Sequence, residues 1–171
     1  MSKKTGSTTG GSAPADLARR IIEHLNARDL AAVEALWTED IVEDFVAVGP
    51  FRGKPAARGF FEELFEAFPD FYLTIERVMG DDQTAVVQWR ATGTFTGGPF
   101  QGVGANGKPV ELRGVDCMKF EGGLMHHNTV YYDGAAFART VGLLPAQGSG
   151  PERALFGAFN AVTAIRKRLG G

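Results

Sequence analysis

Between Thr84 and Phe95 the side chains alternate, with Ala85, Val87, Trp89, Ala91 and Phe95 on one side of an extended chain and Thr84, Gln88, Arg90, Thr92 and Thr94 on the other. Successive strand residues point to opposite faces, so this segment requires a sheet with one dry face and one wet face. A second apolar layer must cover the dry face, and the preceding segments can supply it. Leu17, Ile21, Ile22 and Leu25 recur at spacings of three and four, which predicts a helix from Asp16 to the break at Asn26-Ala-Arg-Asp29. Asp29 is placed to cap a second helix, Leu30 to Trp37, whose Val33, Leu36 and Trp37 share a face. Pro55 and the run Phe60, Phe61, Leu64, Phe65 and Phe68 predict a third, from Lys54 to Phe68, stopped by Pro69.

Further strands are expected over Ile41–Val48, Phe71–Met79, Val110–Phe120 and Leu124–Asp133, with turns at Asp81-Asp82 and Glu121-Gly122-Gly123; the later strands read as a meander. Residues 1–14 carry no large apolar side chain beyond Met1 and are expected to form a disordered tail. After Pro145 comes a linker and then an amphipathic helix bearing Leu155, Phe159, Val162, Ile165 and Leu169. That helix suits the domain or a partner subunit as its cover; its one short basic cluster, Arg166-Lys167-Arg168, is a weaker argument for a membrane surface. The expected division is therefore tail 1–14, domain 15–144, and linker with helix 145–171.

Charge and cysteine content exclude several functions. With 18 basic against 20 acidic residues the chain lacks the basic footprint that nucleic acid requires. One cysteine, Cys117, permits neither an intrachain disulfide nor a thiolate metal cage. No apolar run approaches the ~18 residues of a membrane span, and the N-terminus lacks a secretory signal, so a cytoplasmic protein is expected. The adjacent His126 and His127 point to opposite faces of one strand and do not converge on a metal; no metal and no cofactor are expected.

Two aspartates stand out. Asp116 shares its strand face with Leu112, Met118 and Phe120, and Asp44 shares its own with Val42, Val46 and Val48. The alternation therefore turns both carboxyls toward apolar surroundings, where burial raises a carboxyl pKa and favours proton-transfer chemistry. A structural role remains open for each: hydrogen bonds to backbone amides, or an ion pair with Arg52 or Arg90. Trp89, Met118 and Phe120 are candidates for apolar pocket walls, and His126, Asn128 and Tyr132 for orienting the polar edge of a ligand.

From Leu17 to Leu144 the sequence resembles the nuclear transport factor 2-like superfamily, in its SnoaL-like polyketide cyclase and ketosteroid isomerase branch. The resemblance rests on Leu25-Asn-Ala-Arg-Asp-Leu30, Leu36-Trp-Thr-Glu-Asp40, Gly49-Pro-Phe-Arg-Gly53, Phe68-Pro-Asp70, Thr92-Gly-Thr-Phe-Thr-Gly97, Leu112-Arg-Gly-Val-Asp116, Tyr131-Tyr-Asp133 and Val141-Gly-Leu143. It implies an α+β fold: a cone-shaped, curved antiparallel sheet packed on three N-terminal helices, here with an extra C-terminal helix, enclosing an apolar pocket and usually dimerising through the outer sheet face. It also implies roles for the two aspartates. Asp44, followed by the segment through Arg52-Gly53, matches the isomerase base, and Asp116 ahead of Phe120-Glu-Gly122 matches its protonated oxyanion-hole acid, a neutral carboxyl of a kind known from an apolar site.

Departures narrow the reading. Ile21 stands where the isomerase tyrosine belongs, Val130 where aldol cyclases and epoxide hydrolases carry an aspartate, and Gly114 where the hydrolases carry an arginine. The function expected is a cofactor-independent isomerase or cyclase acting by acid/base proton transfer on a hydrophobic, polyketide- or steroid-like carbonyl compound, working as a homodimer without nucleic acid or membrane. An epoxide-opening hydrolase or cyclase, or a non-catalytic hydrophobic-ligand-binding or assembly domain, is the alternative.

Overall fold

The computed structural model describes residues 13–169, so the expected tail lies outside the described residues except for Ala13 and Pro14, which open the first helix. In chain order the elements are α1 (Ala13–Asn26), α2 (Leu30–Glu34), β1 (Trp37–Phe45), β2 (Gly49–Arg52), α3 (Lys54–Ala67), β3 (Tyr72–Gly80), β4 (Thr84–Thr94), β5 (Pro109–Glu121), β6 (Leu124–Tyr132), α4 (Gly134–Val141) and α5 (Gly150–Leu169). The strands form one six-stranded sheet in the order β2-β1-β6-β5-β4-β3. The meander β3 to β6 runs as expected, and the alternating strand is β4, with Ala85, Val87, Trp89 and Ala91 buried.

Two features correct the expected sheet. β6 returns beside β1 in the same direction, so this pair is parallel and the sheet is mixed rather than wholly antiparallel. β1 also begins earlier, at Trp37, and ends at Phe45; Val46 and Val48 fall beyond it and are exposed. The second helix is correspondingly short, because Trp37 joins the sheet. Outside the meander, α4 was not signalled by apolar periodicity. It begins where Asp133 accepts the Ala136 N–H at 2.9 Å and ends at Gly142, whose φ of +90° terminates it in the left-handed region.

The helices are locked onto the concave face of the sheet by side chains of the corner after α1. Asn26 pairs with the Leu73 backbone, accepting its N–H at 2.8 Å and donating to its carbonyl at 2.9 Å. Arg28 donates to the Phe71 carbonyl at 2.6 Å and stacks over the Phe65 ring. Asp29 caps α2 through the Ala32 N–H. A single buried cluster joins Ile21, Ile22 and Leu25 of α1, Phe60, Phe61 and Leu64 of α3, and the inward residues of β1, β4, β5 and β6.

Gly114 matters to the sheet's inner surface. A Cβ added there would overlap the Trp89 ring and lie 2.6 Å from the Tyr131 carbonyl oxygen, so glycine is what lets the indole lie against β5. By contrast, α5 carries Leu155, Phe156, Phe159, Val162 and Ile165 exposed and is held at its start by Glu152, which accepts from Arg139 at 3.3 Å and from the Gly148 N–H at 2.6 Å.

Candidate active site

The curved sheet and the helices enclose a cavity of about 90 Å³. Its walls are almost entirely apolar: Ile21 and Leu25 from α1, Phe60, Phe61 and Leu64 from α3, and Ala91, Leu112, Met118 and Val130 from the sheet, with Phe100 and Phe137 also lining it. The polar residues are Glu43, Trp89, Asp116, Asn128 and Tyr132, all on strands. Strand register explains their convergence. Asn128 of β6 is the register partner of Glu43 on one side and of Met118 on the other, and Asp116 lies two residues along β5 on the same face.

Glu43 and Asp116 are buried side chains, 2% and 6% exposed. Asn128 Nδ2 donates to Glu43 Oε2 at 2.9 Å, and Trp89 Nε1 donates to Asp116 Oδ1 at 2.9 Å. Burial pushes the Glu43 carboxyl up to about 8, helped by the nearby Asp116 charge and opposed by the Asn128 bond. Burial likewise raises Asp116 to about 7, but donors from both Trp89 and Asn128 restrain that rise. The two groups titrate as a coupled pair, and the direction of their separation has a physical cause. Trp89 donates to Asp116, and the Asp116 charge lifts Glu43 further, so the first proton to leave comes from Asp116 and the remaining proton stays on Glu43.

This arrangement corrects the expectation for Asp44. Its side chain is half-buried on the opposite sheet face and does not line the cavity, whereas Glu43 points inward between Ile41 and Phe45. The expectation for Asp44 rests on Val42, Val46 and Val48 forming the core side of the strand. The two exposed valines belong to the turn beyond β1, and the buried positions are Trp37, Ile41, Glu43 and Phe45. The flanking pair Ile41 and Phe45 was the sequence signal that could have identified Glu43.

Among the other expected site residues, Trp89, Met118, Asn128, Tyr132 and Asp116 line the cavity together. Phe120 is buried in the core but is not part of the lining. His126 does not line the cavity because β6 is bulged: Lys119 pairs with His127 and Phe120 with Met125, leaving His126 as the extra residue. The bulge turns both Met125 and Asn128 inward across two intervening histidines. Among the described residues no three His, Cys, Asp or Glu side chains gather around a point where a metal could sit.

A curved sheet closed by helices around a largely apolar cavity with two buried carboxyls defines a cone-type α+β protein. The chain belongs to the SnoaL-like polyketide cyclase family, whose sequence model matches residues 15–141. No curated protein matches the chain. Among solved structures, a candidate SnoaL-like polyketide cyclase from Jannaschia sp. CCS1 is 23% identical with a TM-score of 0.72, over 83% of this chain and 100% of that one. AclR from Streptomyces galilaeus, a candidate hydroxylase, is 20% identical with a TM-score of 0.67, over 91% of this chain and 96% of its own. A candidate ketosteroid isomerase from Kribbella flavida is 22% identical with a TM-score of 0.55, over 70% of this chain and 77% of that one. At these identities the likeness concerns the fold. No helix among the described residues is long and apolar enough to cross a membrane.

Proposed function

We propose that the protein is a cofactor-independent isomerase or cyclase that moves protons on an uncharged, hydrophobic carbonyl compound, with Asp116 as base and Glu43 as acid. The observation that carries this reading is the pair of buried carboxyls, with raised and separated pKa values, on one wall of an otherwise apolar cavity. In the singly protonated state, the Asp116 carboxylate takes a proton alpha to the carbonyl and the C–H electron pair moves onto oxygen. No lysine, arginine or histidine among the described residues lines the cavity, so that oxygen is stabilised by neutral donors, protonated Glu43 and the Tyr132 hydroxyl being the O–H groups in the lining.

Return of the proton to another carbon completes an isomerisation. Attack of the enolate carbon on a second carbonyl of the same molecule forms a carbon–carbon bond, and Glu43 delivers its proton to the new alkoxide. The pair then holds one proton as before, now on Asp116, and resets by transfer to Glu43. Substrates bearing a carboxylate or phosphate are disfavoured, because such a pocket offers them no countercharge. The homodimer belongs to the same reading: it would use the outer sheet face, where Val42, Val115 and Cys117 are half-buried. Static light scattering giving a monomer mass would remove it.

The direct test follows the ultraviolet absorbance of a β,γ-unsaturated ketosteroid as its double bond comes into conjugation, together with ring closure of a linear aromatic-precursor polyketone. Asp116→Asn should lower turnover by about 10²–10⁴-fold with the fold retained. Turnover that survives both Asp116→Asn and Glu43→Gln would refute the acid/base assignment.

A further inference from the structure

Helix α5 is firmly started and then packs on nothing. Ser149 accepts the Glu152 N–H at 3.2 Å, Pro151 stands in the first turn, and Glu152 is held by Arg139 and by the Gly148 N–H. Beyond that anchor Leu155, Phe159, Val162 and Ile165 fall on one side of the helix and Phe156 flanks them, all between 47% and 69% exposed. None of them joins the buried cluster or packs against it. Helices in proteins gain most of their stability from burying such a face, so the stripe requires a cover.

Charge decides what covers it. From Arg153 to the end of the sequence stand four basic residues, Arg153, Arg166, Lys167 and Arg168, and no acidic one; the rest of the chain carries 14 basic against 20 acidic. The one acid of the helix, Glu152, is 9% exposed and already engaged with Arg139. Two copies of α5 would therefore bring basic groups together with no free carboxylate to offset them. The domain of a second copy is acidic, but its exposed apolar side chains are scattered: Val46 and Val48 beyond β1, Tyr72 and Met79 on β3, Tyr131 on β6, Leu143 and Leu144 after α4. Spread over four places in the fold, they do not match a stripe about 15 Å long.

We propose that α5 is a membrane-surface anchor, lying in the headgroup plane of an anionic lipid bilayer with Leu155, Phe159, Val162 and Ile165 sunk toward the acyl chains. Arg153, Asn160 and Lys167 recur every seven residues on the far side, which suits the headgroups and water. Arg166 comes at the end of the stripe, where a long side chain reaches back to the lipid phosphates. Each basic side chain near such a surface adds an attraction that salt weakens. The sequence reading favours a protein cover for this helix; the structure removes the nearest one, since α5 leaves the core of its own domain untouched. The anchor is separate from the chemistry of the cavity and goes beyond it.

The test floats the full chain with vesicles of phosphatidylcholine alone and of phosphatidylcholine mixed with phosphatidylglycerol, at low and high salt. The wild type should bind the mixed vesicles about tenfold or more tightly than the neutral ones, and high salt should erase most of that difference. Phe159→Glu combined with Val162→Glu should abolish binding to both. Arg166→Glu combined with Lys167→Glu should lower the mixed-vesicle affinity to that for neutral vesicles or below. All four side chains are exposed, so melting temperatures should not move.

No binding to the mixed vesicles, equal binding to both kinds, or binding that survives Phe159→Glu with Val162→Glu overturns the proposal. So does a dimer, seen by light scattering, that the same pair breaks while vesicles stay unbound: the stripe is then an interface between copies. Should either double variant fail to fold, hydrogen exchange of the wild type decides, because the amides from Leu155 to Ile165 should gain protection on mixed vesicles and little on neutral ones. Unchanged exchange there refutes the anchor. Carbonyl turnover enters none of these readouts, so failure of the acid/base chemistry leaves the anchor standing, and failure of the anchor leaves the chemistry standing.

Discussion

Replacing Glu43 with glutamine should change how stability depends on pH. The substitution keeps the shape and the acceptor for Asn128 Nδ2 while removing the ionisable group. In the folded protein Glu43 holds its proton up to about 8 against an ordinary value of 4.5, a shift worth about 5 kcal/mol as an upper bound. The sign follows from proton counts. Between these two pH values the folded state binds a proton that the unfolded chain has lost, so stability falls as pH rises. It is complete below the unfolded pKa and is lost as pH climbs through the folded one. Asp116, raised to about 7, adds a second contribution of the same sign. Wild-type stability from urea melts should therefore fall by about 2.7 kcal/mol per pH unit between roughly pH 5 and 7, as a limit for full protonation of both groups. In Glu43→Gln the slope should halve, to about 1.4 kcal/mol per unit. Asp116 should keep its own midpoint, because Glu43 is still neutral while Asp116 titrates. At pH 9 the variant should be the more stable protein, with a melting temperature higher by roughly 10 °C for a chain of this size. Parallel pH profiles for the two proteins would refute the buried, protonated Glu43.

Three further outcomes follow from individual contacts. Trp89→Phe removes a donor from Asp116, so the acidic limb of the pH–rate profile should move to higher pH; Gly114→Ala, which displaces the same indole, should do likewise and cost about 1–3 kcal/mol in a thermal melt, and an unmoved limb in both variants would sink the role given to Trp89. Asp70 accepts from Thr94 N at 2.6 Å and Thr94 Oγ1 at 2.7 Å, bonds that hold its carboxyl below the usual range. Asp70→Ala should thus cost about 1 kcal/mol near neutrality after allowance for solvent exposure, a difference that shrinks as acid protonates the wild-type group; an equal gap at pH 2 and pH 7 would contradict this. Glu152→Ala removes the acceptor at the start of α5, so trypsin should cut after Arg153, Arg166 or Lys167 several-fold faster at an unchanged melting temperature, and an unaltered cleavage rate would show that α5 is held elsewhere.

Most of the fold was legible because it is written in local periodicity. β4 announces its two faces over eleven residues, and the phenylalanine run of α3 announces its covering stripe. Where the reading failed, the deciding information was not local. The short helix α4 has no long stripe; its start lies in one cap, Asp133, and its end in Gly142. The parallel pairing of β1 with β6 joins residues about 85 positions apart, as the Asn128–Glu43 bond shows, and no spacing rule reaches that far.

The site divides along the same line. Asp116, Trp89, Met118, Asn128 and Tyr132 were legible because β5 and the end of β6 keep their alternation, whereas Asp44 and His126 were misplaced by a strand end and by one inserted residue. Both errors are parity errors, and in a strand a shift of one residue exchanges the two faces. The bulge at His126 is also what brings Asn128 inward beside Glu43 and Asp116, so the irregularity that defeats the pattern is the one that assembles the polar wall. The carboxyl pair then follows from that geometry: the amide donates to Glu43, the indole donates to Asp116, and the Asp116 charge lifts Glu43 further, which separates an acid from a base in surroundings that raise both.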